Sequence, residues 1–416
     1  MSQTKIITFL GVRPNLTTYS YKNKEYKGEA FAQVIREFCQ YDTMLVCVTE
    51  LAKEKTFPIL EALNDSRIKA IDIPTGRTTE EMWETFKIIT QQVDEDDRVI
   101  FDITHGLRSL QFLVFLFATY LKAAKNVTID AVYYGALELQ GSNNGVAPVI
   151  ELSEFVSMID WLTATTRFVK IGDGQPLASL LEGAIPSNEE LKNYPNTRPL
   201  RDQLKQSAKA IEDISLALSL TRPIETMESA TKLEEILRQA TTSFAERAKP
   251  FSLLSEKVVQ EYGQFALPNP KDEAALSENL RLQFRMVKWY IDRNQLVQAI
   301  TLGREWLVSI LALRFDEPMF DHENGRKFVE AALNNAVERN KPHPRPPLDS
   351  RCNEKFAALP EADELASVWN QMTELRNDIA HVGMNLKPQD AAKLKKKASS
   401  LYPRLQKLGE SLLPQK

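Results

Sequence analysis

The strongest constraint on this chain is an alternation of strand-like and helix-like segments over its first 150 or so residues. Short apolar runs at 5–12, 43–49, 68–73, 99–104 and 127–134 read as strands. Between them, 29–39, 57–63, 79–93 and 108–122 carry helical periodicity. Strands alternating with helices predict a mostly parallel sheet covered on both faces. Segment 13–27, with Tyr19, Tyr21 and Tyr26, reads as a long polar loop. Ligands of such sheets sit beyond the carboxyl ends of the strands, where the strand order reverses. Those ends carry Gly11, Val12, Arg13, Pro14 and Asn15, then Thr104, His105, Gly106, Leu107, Arg108 and Ser109, then Tyr134 and Gly135.

The middle group is the most informative. Asp102-Ile103-Thr104-His105-Gly106-Leu107-Arg108-Ser109 leads from a buried strand into a helix. Such a turn offers backbone N–H groups and a positive helix end to an anion. Gly106 permits close approach, Thr104 and Ser109 supply hydroxyls, and Arg108 adds charge. The glycine spacing of a dinucleotide fingerprint is absent, since no glycine follows Gly11 before Gly28, and there is no Walker-type loop.

Past the glycine-containing loop 141–147, the expected edge of the first domain, almost every pattern is helical. Helices are expected at 153–165, 201–220, 224–245, 249–262, 276–292, 295–313, 325–336, 361–383 and 390–412. The expected division is 1–150 as an α/β domain, 151–270 as a helical connector and 271–416 as an all-α domain. The 416 residues, 43% hydrophobic and 26% charged, suit an ordinary globular protein. A net charge of −4 argues against a surface coated in positive charge for duplex nucleic acid. Cys39, Cys47 and Cys352 are too few and too scattered for a disulfide framework or zinc site, so no metal is expected. The most apolar run, 110–121, is too short to span a bilayer, and the amino terminus reads as a strand rather than a signal peptide. The expected compartment is the cytoplasm, with no membrane partner.

Near the end of the chain, Glu374-Leu375-Arg376-Asn377-Asp378-Ile379-Ala380-His381 lies in a helical pattern. Leu365, Val368, Met372, Leu375, Ile379 and Val382 mark its apolar stripe. At about 100° per residue His381 falls roughly 150° from that stripe, on a polar face shared with Asn377, while Arg376 borders the stripe. Gly383 is a natural stop. A surface histidine at a helix end, favoured by the dipole, has the same pattern. So does an arginine paired with Glu374 or Asp378.

Taken together, the two signals resemble a known family. The Asp102–Ser109 turn after the fourth strand resembles CARF domains, the Rossmann-like sensors associated with CRISPR systems. Arg376 to His381 is similar to the Arg-x-x-x-x-His motif of HEPN ribonucleases, with Asn377 as the polar residue after the arginine. Segment 298–306, with Glu305, resembles the preceding HEPN helix. The resemblance covers about 5–140 and 275–385.

It implies an α/β Rossmann-like sensor (parallel sheet, flanking helices), an all-α connector and an all-α HEPN domain. It implies a homodimer, or a higher oligomer, that binds a cyclic oligoadenylate, usually cyclic tetra-adenylate with cyclic hexa-adenylate as the other ring. It implies cleavage of single-stranded RNA in type III CRISPR defence, without a metal or other cofactor, at a site made by two chains. Arg376, Asn377 and His381 would do the chemistry, leaving a 2′,3′-cyclic phosphate. Gly11, Val12, Arg13, Asn15, Thr104, His105, Gly106, Arg108, Ser109, Tyr134 and Gly135 would meet the ligand, and the tyrosine-rich loop would close over the ring or stack on its adenines. The alternative is a non-catalytic nucleotide-sensing regulator that binds nucleic acid or protein through its helical half. Three further readings stay open. His105 serves the turn or the ligand, Lys393 to Lys397 guide RNA or are merely solvated, and Glu305 is a surface or supporting residue rather than a catalyst.

Overall fold

The structure is a computed structural model that describes residues 2–106, 108–141, 143–339, 341–384 and 388–414. The side chains of Arg108 and Leu110 lie outside the described set. The chain divides into two compact units, Met1–Asp160 and Trp161–Lys416.

The first unit is built on an eight-stranded sheet in the order β3-β2-β8-β7-β6-β1-β4-β5. The strands are β1 (Thr4–Phe9), β2 (Thr17–Tyr21), β3 (Lys24–Gly28), β4 (Thr43–Val48), β5 (Ile68–Asp72), β6 (Arg98–Asp102), β7 (Thr128–Gly135) and β8 (Val146–Glu151). β7, β6, β1, β4 and β5 are mutually parallel. Both faces of β1, β4 and β6 are buried, whereas the edge strand β5 exposes Lys69 and Asp72. Ile6, Met44, Val46 and Ile100 enter one core, and their neighbours Ile7, Leu45, Cys47, Val99 and Phe101 enter the other. That is why these strands read as unbroken apolar runs rather than as alternations.

Two parts of the sequence reading need correction. Segment 13–27 is not one long loop, because β2 and β3 form an antiparallel hairpin across Lys22 and Asn23. Both turn residues have positive φ, 49° and 64°, the hairpin geometry whose twist matches that of the strands. Its tyrosines are directed inward and do not close over the sheet edge. Tyr19 is 1% exposed and meets Phe31 edge-on, while Tyr21 and Tyr26 pack on Phe38. The second correction is β8, which lies partly within the stretch read as a loop and pairs antiparallel with β7 and parallel with β2.

The second unit is helical throughout its described residues. One core gathers Trp161, Phe168, Ile211, Phe244, Phe251 and Tyr262. There Phe168 stacks on Tyr262 with ring centroids 4.3 Å apart, and the Tyr262 hydroxyl donates to the Phe168 carbonyl. A second core gathers Trp306, Leu307, Leu311, Trp369, Met372 and Leu405. Helix Leu296–Phe315 supplies both cores, Ala299 and Leu302 to the first and Ile300 and Trp306 to the second. By length and composition it could cross a membrane, yet most of it is buried inside this unit. A helix that is apolar all round is the expected centre of a large helical core.

Gly135, the last residue of β7, tests the packing at the sheet edge. A Cβ there would lie 2.6 Å from Tyr19 Cε1 and 3.1 Å from Phe31 Cδ2, both in buried rings. Gly135→Ala is therefore expected to lower stability by about 1–3 kcal/mol, through overpacking. Urea denaturation of the two proteins measures this directly.

Candidate functional site

The sheet order places its reversal between β1 and β6. From β1 the chain builds outward through β4 and β5, and from β6 it builds the other way through β7. The ends of these two neighbours therefore bring residues 10–15 close to the turn that follows Asp102.

Asp102 is fully buried. Its Oδ2 accepts from the Thr8 hydroxyl at 2.5 Å and its Oδ1 from the Thr104 N–H at 2.8 Å. The Thr104 hydroxyl in turn accepts from the Gly135 N–H at 2.8 Å, and Gln111 Nε2 donates to the Ile103 carbonyl at 2.7 Å. β1, β6, β7 and helix Arg108–Lys125 are thus tied together at one corner. Gly106 completes the turn at φ +103°, where a Cβ would also fall 2.9 Å from Phe9 Cβ. Glycine is the residue that meets both conditions.

Around this corner the sequence-predicted residues fall into different environments. Val12, Arg13, Asn15 and Gly106 are exposed, and Gly11 and Ser109 are half-buried. The Asn15 N–H donates to the Glu29 carbonyl at 3.0 Å. Tyr134 is half-buried and its hydroxyl donates to Glu138 Oε2 at 2.7 Å. Thr104 and Gly135 are buried, and the Gly135 amide is already engaged. The Arg108 side chain is outside the described set. His105 is half-buried, and its Nε2 is enclosed without a hydrogen-bond partner among the described residues. Burial holds this imidazole below its ordinary value of 6.5, against the opposing pull of Asp102. Burial also raises the Asp102 carboxyl, against its hydrogen bonds and the nearby histidine. The pair combines a neutral imidazole with a sequestered carboxyl group.

In the helical unit, helix Ala362–Ala380 buries Leu365, Val368, Trp369, Met372 and Leu375. The same periodicity leaves Arg376, Asn377 and His381 exposed. The helix ends three residues before the expected stop. The His381 N–H donates to the Asn377 carbonyl at 2.9 Å, closing the last turn. Val382 and Gly383 then take left-handed conformations, φ +49° and +73°. Left-handed backbone at a β-branched residue is strained, and Val382 is 75% exposed. Among the described residues Arg376 makes no ion pair, and its Nη1 donates to Asn377 Oδ1 at 3.1 Å. Asp378 is oriented differently, its Oδ2 accepting from the Gln389 N–H at 3.3 Å. Asn377 therefore supports the arginine, and Asp378 ties the helix to the segment that follows.

Glu305 is held in a network that the sequence did not suggest. Arg304 and Arg326 each reach it at 2.7 Å, Arg326 Nη1 also donates to Ser309 Oγ at 2.7 Å, and the Arg304 guanidinium lies 4.2 Å from the Trp369 ring centre. No periodicity marks Arg326 as its partner 21 residues away. A cavity of about 480 Å³ lined by Gly172, Asp173, Lys209, Ser215 and Gln298 contains none of the predicted site residues. Among the described residues no group of three or more His, Cys, Asp or Glu is placed to hold a metal ion.

Among known proteins, the family match falls in the segment between the two motifs. Residues 157–269 match the family described as CRISPR-associated protein MJ1674, second domain. Over 174 residues the chain is 28% identical to CRISPR-associated protein MJ1674 of Methanocaldococcus jannaschii. This alignment covers 39% of the chain and only 27% of that relative's length. Both comparisons indicate likeness to one CRISPR-associated protein. The 102–109 turn and the 376–381 motif lie outside the 157–269 match.

The enclosed His105 has a consequence for acid stability. Its lowered pKa means that the unfolded chain takes up the proton more readily than the folded one. The resulting stability is present above the unfolded value and is lost as pH falls through the folded one. From about pH 7 to about pH 5, wild type should lose more stability to urea than His105→Gln, which cannot take up that proton. Equal losses would count against a buried neutral imidazole.

Proposed function

We propose that this chain is a ribonuclease switched on by a cyclic oligoadenylate and acting in CRISPR antiviral defence in the cytoplasm. The observation that carries the reading is the exposure of Arg376, Asn377 and His381 together at the end of a helix whose other face is buried. RNA supplies its own nucleophile, the 2′-hydroxyl beside the scissile phosphate. Cleavage needs that hydroxyl deprotonated, the departing 5′-oxygen protonated and the phosphorane charge balanced. An imidazole with an ordinary pKa of about 6.5 suits either proton transfer. A guanidinium offers a planar fork to the phosphate oxygens, and here Asn377 orients it. One histidine serves one proton transfer at a time, so two chains meeting at this helix end would supply both partners. The expected product is a 2′,3′-cyclic phosphate, with no metal taking part.

The sensor reading is supported by the corner at Asp102 to Ser109. It lies at the reversal of strand order and presents an exposed glycine at the entry to helix Arg108–Lys125. A symmetric ring ligand suits a two-fold site made by two copies of the same loops. The exposed apolar face formed by Trp83, Leu116 and Tyr120, which line an apolar trough of about 400 Å³, is the surface we assign to self-association. Likeness to a CRISPR-associated protein supports the biological setting.

The test is cleavage of labelled single-stranded RNA in EDTA with cyclic tetra-adenylate, cyclic hexa-adenylate or no addition. One of the two rings should stimulate cleavage, and His381→Ala should reduce the stimulated rate by roughly 10²–10⁴-fold, the usual contribution of a general acid–base group. Undiminished cleavage by that variant, or none by wild type with either ring, sinks the reading. In the same assay Arg108→Ala should raise the ring concentration needed for half-maximal cleavage while leaving the maximal rate unchanged.

A further inference from the structure

Helix Ala391–Leu412 runs antiparallel beside helix Ala362–Ala380, and three contacts set their register. Ser411 donates to Glu361 at one end. Arg404 Nε and Nη2 donate to the two Glu364 carboxylate oxygens at 2.6 and 2.8 Å near that same end. The Gln389 N–H reaches Asp378 at the other end. Between these anchors, residues 393–397 lie alongside 371–376. The first two turns of the later helix are therefore level with Arg376 and close to the end that carries His381.

Those two turns hold Lys393, Lys395, Lys396 and Lys397, all exposed. The inward face of the helix is made by Leu394, Ala398, Leu401, Leu405 and Leu408, so packing does not require the lysines. Farther along, Arg404 is matched by Glu364. Lys393 lies 3.6 Å from Asp390. Lys395, Lys396 and Lys397 have no carboxylate partner among the described residues. Adjacent cations repel one another, and in the first turns of a helix they also oppose its dipole. The placement works against folding stability, and its electrostatics suit a polyanion.

We propose that Lys395, Lys396 and Lys397 form the tract along which single-stranded RNA is led to Arg376 and His381. The inference rests on the nuclease reading for its substrate, but its geometry stands independently. Three lysines within a single helical turn meet only a few phosphates, which suits a flexible strand feeding a nearby site. The net charge of −4 leaves little positive surface for gripping a long duplex.

The experiment measures equilibrium binding of a short fluorescent RNA across a salt series, with His381→Ala in every protein so that the probe stays intact. Each phosphate contact on a single strand contributes about 0.7 to the slope of log K against log salt. Replacing all three lysines by glutamine should therefore flatten the slope by about 2 and weaken binding at low salt. Replacing all three by arginine should restore the slope, which a general folding defect would not allow. An unchanged slope in the glutamine variant overturns the tract, as does tighter binding of duplex DNA than of RNA. The same variants in the His381 background separate the two readings. Cleavage with an unchanged binding slope removes the tract alone, whereas a lysine-dependent slope without any cleavage removes the nuclease and keeps the tract.

Discussion

A carboxyl group sealed from solvent holds the working edge of the first unit together. Burying an acid without partners costs several kcal/mol, so Asp102 is tolerable only because a hydroxyl and an amide meet its two oxygens. Those donors come from β1 and from the turn that β6 enters. The Thr8 bond thus continues the β1–β6 pairing past its last backbone partners, and the opening beyond these strand ends is where a ligand of this fold would sit. The Thr104 hydroxyl extends the tie to β7 by accepting the Gly135 amide, and that close approach leaves no room for a Cβ. The exposed Gly106 and the enclosed His105 take their positions from this frame.

The helical unit solves a different problem by simpler means. Helix Ala362–Ala380 must hide Trp369, Met372 and Leu375 against helix Leu296–Phe315 and its neighbours. Burial of side chains of this size stabilises by roughly 1.5–3 kcal/mol each. Hiding one face compels the opposite face outward, and that is how Arg376, Asn377 and His381 reach solvent without any dedicated device. The helix then stops in a left-handed turn, leaving His381 at the exposed end. The neighbouring helix brings its basic first turns to the same level, because Glu361, Glu364 and Asp378 fix its register.

Much of this was legible before any coordinates. The five parallel strands and the long helices follow from runs of apolar residues with periods that local geometry dictates, and helix Leu276–Asp292 falls where its pattern placed it. The exposure of Arg376 and His381 follows from angular arithmetic alone. The hairpin of β2 and β3 was not legible, since Lys22-Asn23 lacks the glycine that usually announces such a turn and the flanking strands are mostly polar. β8 was hidden because it begins inside a glycine-containing loop and ends just before a helix, so its apolar run is brief. The tyrosines of the hairpin looked available for stacking on a ligand. Only the sheet, by turning β2 toward Phe31 and Phe38, assigns them to the core.

The element types, the α/β-then-helical order and the solvent-facing side of the motif helix were already written in the amino-acid sequence. Each of these is a local property, set by the spacing of apolar residues along one segment. Tertiary structure decided what depends on pairs distant in the chain. It closed the Thr8–Asp102 bond across 94 residues, engaged Glu305 with Arg326, and set the helix that carries the lysines of 393–397 in register with the one that carries Arg376. Such pairings depend on how elements meet, and no periodicity within a single segment carries that information.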